Sequence, residues 1–233
     1  MTSKITIYVV RHGRTLMNTL DKVQGWCDSP LTQEGQLVAE YLGKGLLDIP
    51  FRSAYCSTLR RTRQTAEIIL SAKGQRQVPL MEVDGFKEAC FGSFESDTNP
   101  NMWQAAAYYL HFRSPKEMSQ SLFSGKLRHR DVLNAIQELD TLSMAETFEQ
   151  VEQRTQASLR AVAEKESEEG DGNILVVAHG MSICCMLLSL GGDKLLQQNL
   201  ENASVCKVIF ENGQFTVESM NDMTYTEKGK NMP

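Results

Sequence analysis

The 233-residue sequence predicts an α/β fold with a mainly parallel central sheet covered by helices on both faces. Three observations predict it. Two segments, "KITIYVV" (4–10) and "GNILVVAHG" (172–180), carry apolar runs without the alternation of a half-exposed strand, as strands buried on both faces do. Strand-like segments alternate with stretches of helical spacing, the pattern of parallel crossover units. The composition, 41% hydrophobic and 23% charged, belongs to a globular chain long enough to bury a substantial core. Residues 1–233 are read as one domain, with 97–145 as a variable cap insertion.

The elements follow in order. "KITIYVV" is the first strand. "TQEGQLVAEYLGKGL" (32–46) is a helix N-capped by Thr32, with Glu34 in its first turn. "FRSAYCS" (51–57) is a second, short strand. "TLRRTRQTAEIILSA" (58–72) is a helix with Ser57 or Thr58 as cap and Leu59, Ala66, Ile69 and Leu70 along one side. The stretch 97–145 fits less well: "MWQAAAYYLHF" is helical and "SPKEMSQSLFSGKLRHRD" is mixed. No break in composition sets it apart, so it reads as an insertion packed over the domain. "GNILVVAHG" is a strand of the same kind as the first, and "MSICCMLLSLGG" a helix stopped by paired glycines. "SVCKVIFENGQFTVESM" is a hairpin turning at Asn212-Gly213.

Composition also excludes. A formal net charge of -5, from 29 acidic and 24 basic residues, argues against a general nucleic-acid binder, which needs a dominant basic surface. The six cysteines include no CxxC pair, which suits buried reduced thiols better than a disulfide framework or a zinc site. No stretch approaches a membrane span, and "MTSKITIYVV" has no signal-cleavage pattern. The expectation is a cytoplasmic protein with neither membrane nor nucleic-acid partner. Nothing in the sequence sets an oligomeric state.

Two apolar strands end alike, in "VVRHG" (9–13) and "VVAHG" (176–180). In a parallel sheet the carboxyl ends of the strands share one edge, where ligands bind, so His12 and His179 face one crevice. "CSTLRRTRQTAE" begins a helix at the same edge, and the free N–H groups and dipole of a first helical turn favour anions. Arg60 and Arg61 are placed there as phosphate-binding candidates, with the fork of donors that matches phosphate oxygens in pairs. Arg63 reads as part of a solvated face. Histidine, arginine and histidine in one crevice suggest phosphoryl transfer through an imidazole, which is neutral above its usual pKa of about 6.5. The arginines would neutralise the charge that grows on the phosphoryl oxygens. A leaving alkoxide needs a proton, which a carboxylic acid kept protonated by its surroundings can supply. "GFKEACFGSFE" (85–95) offers Glu88 for this, with Glu95 as the rival. In the insertion, His129 beside Lys126, Arg128 and Arg130 could face an anionic substrate over the pocket, but a solvated face is the favoured reading. The methionines and "WQAAAYYLHF" read as packing, in a lid that would admit a partly apolar substrate.

"RHGRT" with Asn18, then "QGWCDSPLTQEG", "CSTLRRTRQTAE", "FKEACFGSFE", "AETFEQVEQR" and "VVAHG", resemble the histidine phosphatase (phosphoglycerate mutase-like) superfamily. The motifs stand in that family's order and cover most of the chain apart from 97–143. The resemblance implies a three-layer α/β/α sandwich with a helical insertion over the active site, and chemistry without a metal or cofactor. By position, His12 matches the nucleophile, and Arg11, Arg61 and His179 match the rest of the phosphate pocket. Arg61 rather than Arg60 stands four residues after Ser57, where the family has its arginine; Arg60 stays a substrate-binding candidate. Glu88 matches the general acid, with Phe86 in place of the family's leucine. Asn18, Gln24 and Gly25 match positions that line the pocket. Thr147 replaces a serine at a helix start, and Ser96 stands where many members have glycine, so that loop is expected to differ in shape.

The activity implied is that of a histidine acid phosphatase-type phosphomonoesterase, working through a phosphohistidine on small phosphorylated metabolites. The alternative is a phosphoglycerate mutase. Mutases of this family usually carry a basic segment after the acid motif, and here "SDTNPNMWQAAAYYLHF" has no cation before Arg113. "ENASVCKVIFENGQ" also resembles the phosphatase branch. A non-catalytic phospho-ligand-binding relative would have lost one of His12, the arginines, His179 or the acid, and all are present.

Overall fold

The computed structural model of the protein describes residues 3–232. The chain runs β1 (Ile5–Arg11), α1 (Leu16–Thr19), α2 (Gln33–Gly45), β2 (Ser53–Cys56), α3 (Arg60–Ala72) and β3 (Leu80–Glu82). Helices α4 (Asn99–Tyr109), α5 (Pro115–Phe123), α6 (His129–Leu139) and α7 (Phe148–Ser167) follow. Then come β4 (Gly172–Ala178), α8 (Gly180–Leu187), β5 (Val205–Glu211), β6 (Gln214–Asp222) and α9 (Thr224–Lys230).

The six strands form one sheet in the order β3-β2-β4-β1-β5-β6. β3, β2, β4 and β1 are mutually parallel, whereas β5 and β6 add an antiparallel hairpin. The hairpin turns at Asn212 and Gly213, both with positive φ, as an Asn-Gly type I′ turn requires. β1 and β4 lie side by side, and their alternate side chains feed two cores. Ile5, Ile7 and Val9 join Ile174 and Val176 on the face covered by α7 and α8. Tyr8 and Val10 join Leu175 and Val177 on the face covered by α2 and α3. That is the expected three-layer α/β/α sandwich. A third cluster, with Met102, Met118, Leu133 and Ile136 from α4–α6, packs on Val23, Phe91, Phe148, Val151 and Cys185.

The register matters most for function. Arg11 pairs with Ala178, so the next residues, His12 and His179, leave two neighbouring strands at the same level. Ser57 follows β2 there and donates its N–H to the Val177 carbonyl, 3.2 Å away. One sheet edge thus collects three of the quoted motifs.

The turn after β1 is seated by a backbone-to-backbone contact with the start of α2. A Cβ on Gly13 would lie 2.7 Å from the Gly35 carbonyl oxygen, and one on Gly35 would collide with the Arg14 backbone. Neither neighbour is a flexible side-chain tip. Gly35→Ala is therefore expected to cost roughly 3 kcal/mol through overpacking, against about 1 kcal/mol regained in helix propensity. A fall in denaturant midpoint of about 2 kcal/mol equivalent checks the balance, and unchanged or raised stability would contradict it.

Several local expectations need correction. α3 is capped by neither candidate side chain: its N-cap residue is Leu59, with no side-chain cap. Ser57 Oγ instead accepts from the Leu59 N–H at 3.2 Å, and Thr58 Oγ1 donates to Asp84. The mixed stretch after residue 113 resolves into α5 and α6. Ser114 caps α5 by accepting from Glu117 N–H at 3.2 Å, and Pro115 opens its first turn. Among the described residues no helix is long and apolar enough to cross a membrane, and all six cysteines are free thiols.

Candidate active site

β1 delivers Arg11 and His12 to a cleft of about 690 Å³ at the carboxyl edge of the sheet. Four contacts fix the turn. His12 N–H donates to Ala178 O at 3.0 Å, Gly13 N–H to Thr65 Oγ1 at 3.0 Å, Asn202 Nδ2 to His12 O at 2.9 Å, and Arg11 N–H to Ser204 O at 3.2 Å. The His12 side chain is 3% exposed, and its Nδ1 lies 2.8 Å from Gly13 O. A carbonyl only accepts, so Nδ1 carries the proton and Nε2 keeps its lone pair. Burial, and then the positive charges of Arg61 and Arg11, push the pKa of His12 well below that of free histidine. The ring is neutral at physiological pH.

His179, fully buried, ends β4, and its ring stands 5.2 Å from that of His12 in an edge-on arrangement. Its Nδ1 accepts from Arg61 Nε at 3.1 Å and its Nε2 meets Ser57 Oγ at 2.7 Å. Burial and the Arg61 charge hold its pKa well below the usual value.

Among the described residues four buried side-chain polar atoms have no hydrogen-bond partner, and two of them, Arg11 Nε and Gln24 Nε2, belong to residues that line the cleft. The Gln24 amide is held by its oxygen, which accepts from Thr15 Oγ1 at 2.6 Å and Ser29 Oγ at 3.3 Å. Arg11 is anchored through Nη1 to the Leu200 carbonyl. A buried donor without a partner costs about 1–3 kcal/mol, and two of them lining one cleft beside a neutral imidazole suit an anion with several oxygens. Asn18 also lines the cleft; its Oδ1 accepts from Thr15 N–H at 3.1 Å as part of the cap of α1.

Glu88 faces the same space and is 6% exposed. Its carboxyl accepts from the N–H groups of Ala89 at 2.9 Å, Met181 at 3.1 Å and Ser182 at 2.7 Å, the last two at the start of α8. Burial raises its pKa, and it outweighs these hydrogen bonds and the Arg61 charge, which lower it. A buried carboxyl with an elevated pKa can hold a proton and release it. Glu95, the rival, is spent elsewhere: it accepts from Gly25, Trp26, Cys27 and Phe91 N–H at 2.9–3.2 Å, tying the loop after α1 to the acid loop. Ser96, next to it, adopts positive φ, a backbone conformation that glycine takes most readily.

Two arginines sit differently from the expectation. Arg61 is 0% exposed and stands behind the cleft rather than lining it. Its donors go to His179, Cys27 O (2.9 Å), Asp28 Oδ1 (3.0 Å) and Gly25 O (2.7 Å), so Gly25 serves the site through its carbonyl. Arg60 does not reach the cleft. One residue turns a helix by about 100°, and that turns Arg60 out to solvent as Arg61 turns in. Arg63 is solvated, as expected, and pairs there with Glu67 and Glu82, while Arg14 pairs with Glu34 on the surface. His129, expected on a solvated face, lines the cleft with its ring 6.3 Å from that of Phe123.

Sequence reasoning passed over Arg154. Its fork donates to the carbonyls of Gly85 (3.0 Å), Lys87 (2.7 Å) and Glu88 (2.8 Å) and pairs twice with Glu146. It sits inside the quoted "AETFEQVEQR", which was the available signal. Arg154→Gln is expected to lower kcat about 10- to 100-fold by letting Glu88 drift, with KM little changed and the alkaline limb of the pH profile displaced. Arg154→Lys should not rescue, because one ammonium cannot hold three carbonyls and a carboxylate. A change in KM alone would contradict this role.

The model of the family described as the histidine phosphatase superfamily (branch 1) matches residues 7–223. A 2,3-bisphosphoglycerate-dependent phosphoglycerate mutase 2 from Gloeobacter violaceus is 30% identical over 202 residues, which is 85% of this chain and 80% of that protein. An uncharacterized phosphatase, PhoE, from Bacillus subtilis is 27% identical over 92% of this chain and 93% of its own length. The crystal structure of a phosphoglycerate mutase from Bacillus anthracis superposes with a TM-score of 0.92 at 37% identity, covering 99% of this chain and 98% of that one.

Proposed function

The chain belongs to the histidine phosphatase superfamily, branch 1, and from that premise we propose that it is a phosphomonoesterase acting through a phosphohistidine on small phosphorylated metabolites. The observation that carries the proposal is the neutral His12 ring, with Nδ1 held by Gly13 O and Nε2 unprotonated, beside the unpartnered Arg11 Nε and Gln24 Nε2.

In this reading Nε2 of His12 attacks phosphorus, and the bond to the leaving oxygen breaks as Glu88 gives that oxygen its proton. Arg11 and Gln24 hold the phosphoryl oxygens as charge builds on them. Arg61 acts at one remove: its charge and its hydrogen bond hold His179 neutral and in place behind the reacting ring. Water then attacks the phosphohistidine with Glu88, now ionised, as base, releasing phosphate and restoring both groups.

A second reading, phosphoryl return to the substrate as in a mutase, is favoured by the names of relatives at 30% and 37% identity. Against it, α4, the first helix after the acid motif, presents Asn99, Pro100, Met102 and Trp103 to the cleft and no cation, and the cleft's two lysines, Lys22 and Lys116, come from other segments. A panel of phosphoglycerates and sugar phosphates, followed for free phosphate and for isomerised product, separates the two. Phosphate release without isomerisation is expected. Isomerisation of a phosphoglycerate faster than its hydrolysis would overturn the phosphatase reading.

A further inference from the structure

Besides the reacting groups, the cleft is lined by Phe91, Met102, Trp103, Met118, Leu122 and Val132, all part of the apolar cluster around α4–α6, and this apolar side is its outer chamber. With a total of about 690 Å³, the cleft falls in the range of sites for drug-sized ligands, well beyond what a three-carbon phosphate fills. His129 belongs to the same wall, and burial lowers its pKa, so it adds a neutral ring rather than a charge.

The polar groups of the rim are unevenly distributed. Lys22 and Lys116 line the cleft. Among the described residues lysine ion pairs form at Lys87, Lys207 and Lys228, and neither rim lysine joins one. Asp21 is the rim carboxylate; it accepts from Asn99 Nδ2 at 2.9 Å, which orients it but leaves its charge, so the two lysines leave the rim with one net positive charge. In a chain of net charge -5, two unpaired ammonium groups at the mouth of an apolar chamber favour a ligand with negative charge at both ends.

We propose that the outer chamber takes a leaving alcohol with a ring-sized apolar body that carries a second anionic group, met by Lys22 and Lys116. The proposal rests on the phosphomonoesterase reading and adds the substrate class to it. The apolar wall would recognise the ring by excluding water from it. The lysines, exposed or half-buried, add modest affinity that salt weakens.

Ethyl, benzyl and 4-carboxybenzyl phosphate test it, because all three release primary alcohols, and p-nitrophenyl phosphate reports activity. For the full chain, kcat/KM should rise at least about tenfold from ethyl to benzyl phosphate and about fivefold more with the carboxylate. In Lys22→Gln/Lys116→Gln the carboxylate preference should fall below about twofold, through KM. Lys116→Gln alone should lose part of it. Equal rates for ethyl and benzyl phosphate, or a carboxylate preference that survives in the double variant, would overturn the chamber's assignment. If not even p-nitrophenyl phosphate is hydrolysed, the phosphomonoesterase reading fails. Calorimetric binding of the same three esters to His12→Ala then decides the chamber on its own, and binding without the expected order overturns it.

Discussion

Replacing His12 with alanine is expected to abolish turnover of p-nitrophenyl phosphate, by about 10⁴-fold or more, as loss of an attacking group does. The fold should survive, because the contacts that seat this turn are made by the main chain: His12 N–H to Ala178, His12 O from Asn202, and Gly13 N–H to Thr65. The ring itself makes one polar contact, to Gly13 O. A far-UV spectrum and a melting temperature within a few degrees of the parent should accompany the inactive variant. Near-parental activity would exclude His12 as the attacking atom, and unfolding would assign it to the core instead.

Glu88→Gln is expected to sort substrates by leaving group. Alkyl phosphates, whose alkoxide must be protonated as the bond breaks, should lose about 10²- to 10⁴-fold in kcat/KM. p-Nitrophenyl phosphate, whose leaving group needs no proton, should lose far less. The pH profile gives a second readout. The active form has His12 neutral and Glu88 protonated. His12 has a depressed pKa, so its neutral form persists to pH well below that of free histidine; Glu88 has a raised one, so its acid form persists above the usual carboxylate range. Activity on alkyl phosphates thus rises with pH through the His12 pKa and falls through the Glu88 pKa. Glu88→Gln should remove the falling limb and leave the rising one. Equal losses for both leaving-group classes would take the proton donor away from Glu88. Glu95 would not replace it, since its carboxylate is occupied by four backbone N–H groups.

What the sequence discloses follows from how local each signal is. β1 and β4 are legible because a strand buried on both faces is apolar throughout, and matching "VVRHG" and "VVAHG" endings imply matching positions on one edge. The register of Arg11 against Ala178 bears this out. Thr32 as a cap and Asn212-Gly213 as a turn are legible because each is a short-range chemical requirement. β3 is three residues long and α9 seven, too short for any period to show; β3 exists by pairing with β2, and α9 by packing on α2. The site divides in the same way. Motif spacing places Arg61 near His179, but not the return of Cys27, Asp28 and Gly25 to consume its donors. Nor does a basic stretch such as "KLRHR" disclose that His129 turns inward, since that depends on where α6 docks.

The central claim is that a phosphoryl group passes through Nε2 of His12. The most direct measurement is rapid mixing with a ³²P-labelled phosphomonoester and an alkaline quench, under which phosphohistidine survives, followed by mapping of the label. The account predicts one label, on the peptide containing His12, that forms before free phosphate, decays as phosphate appears, and is absent from His12→Ala. Steady turnover with no label on that peptide, or with the label on another residue, would contradict it.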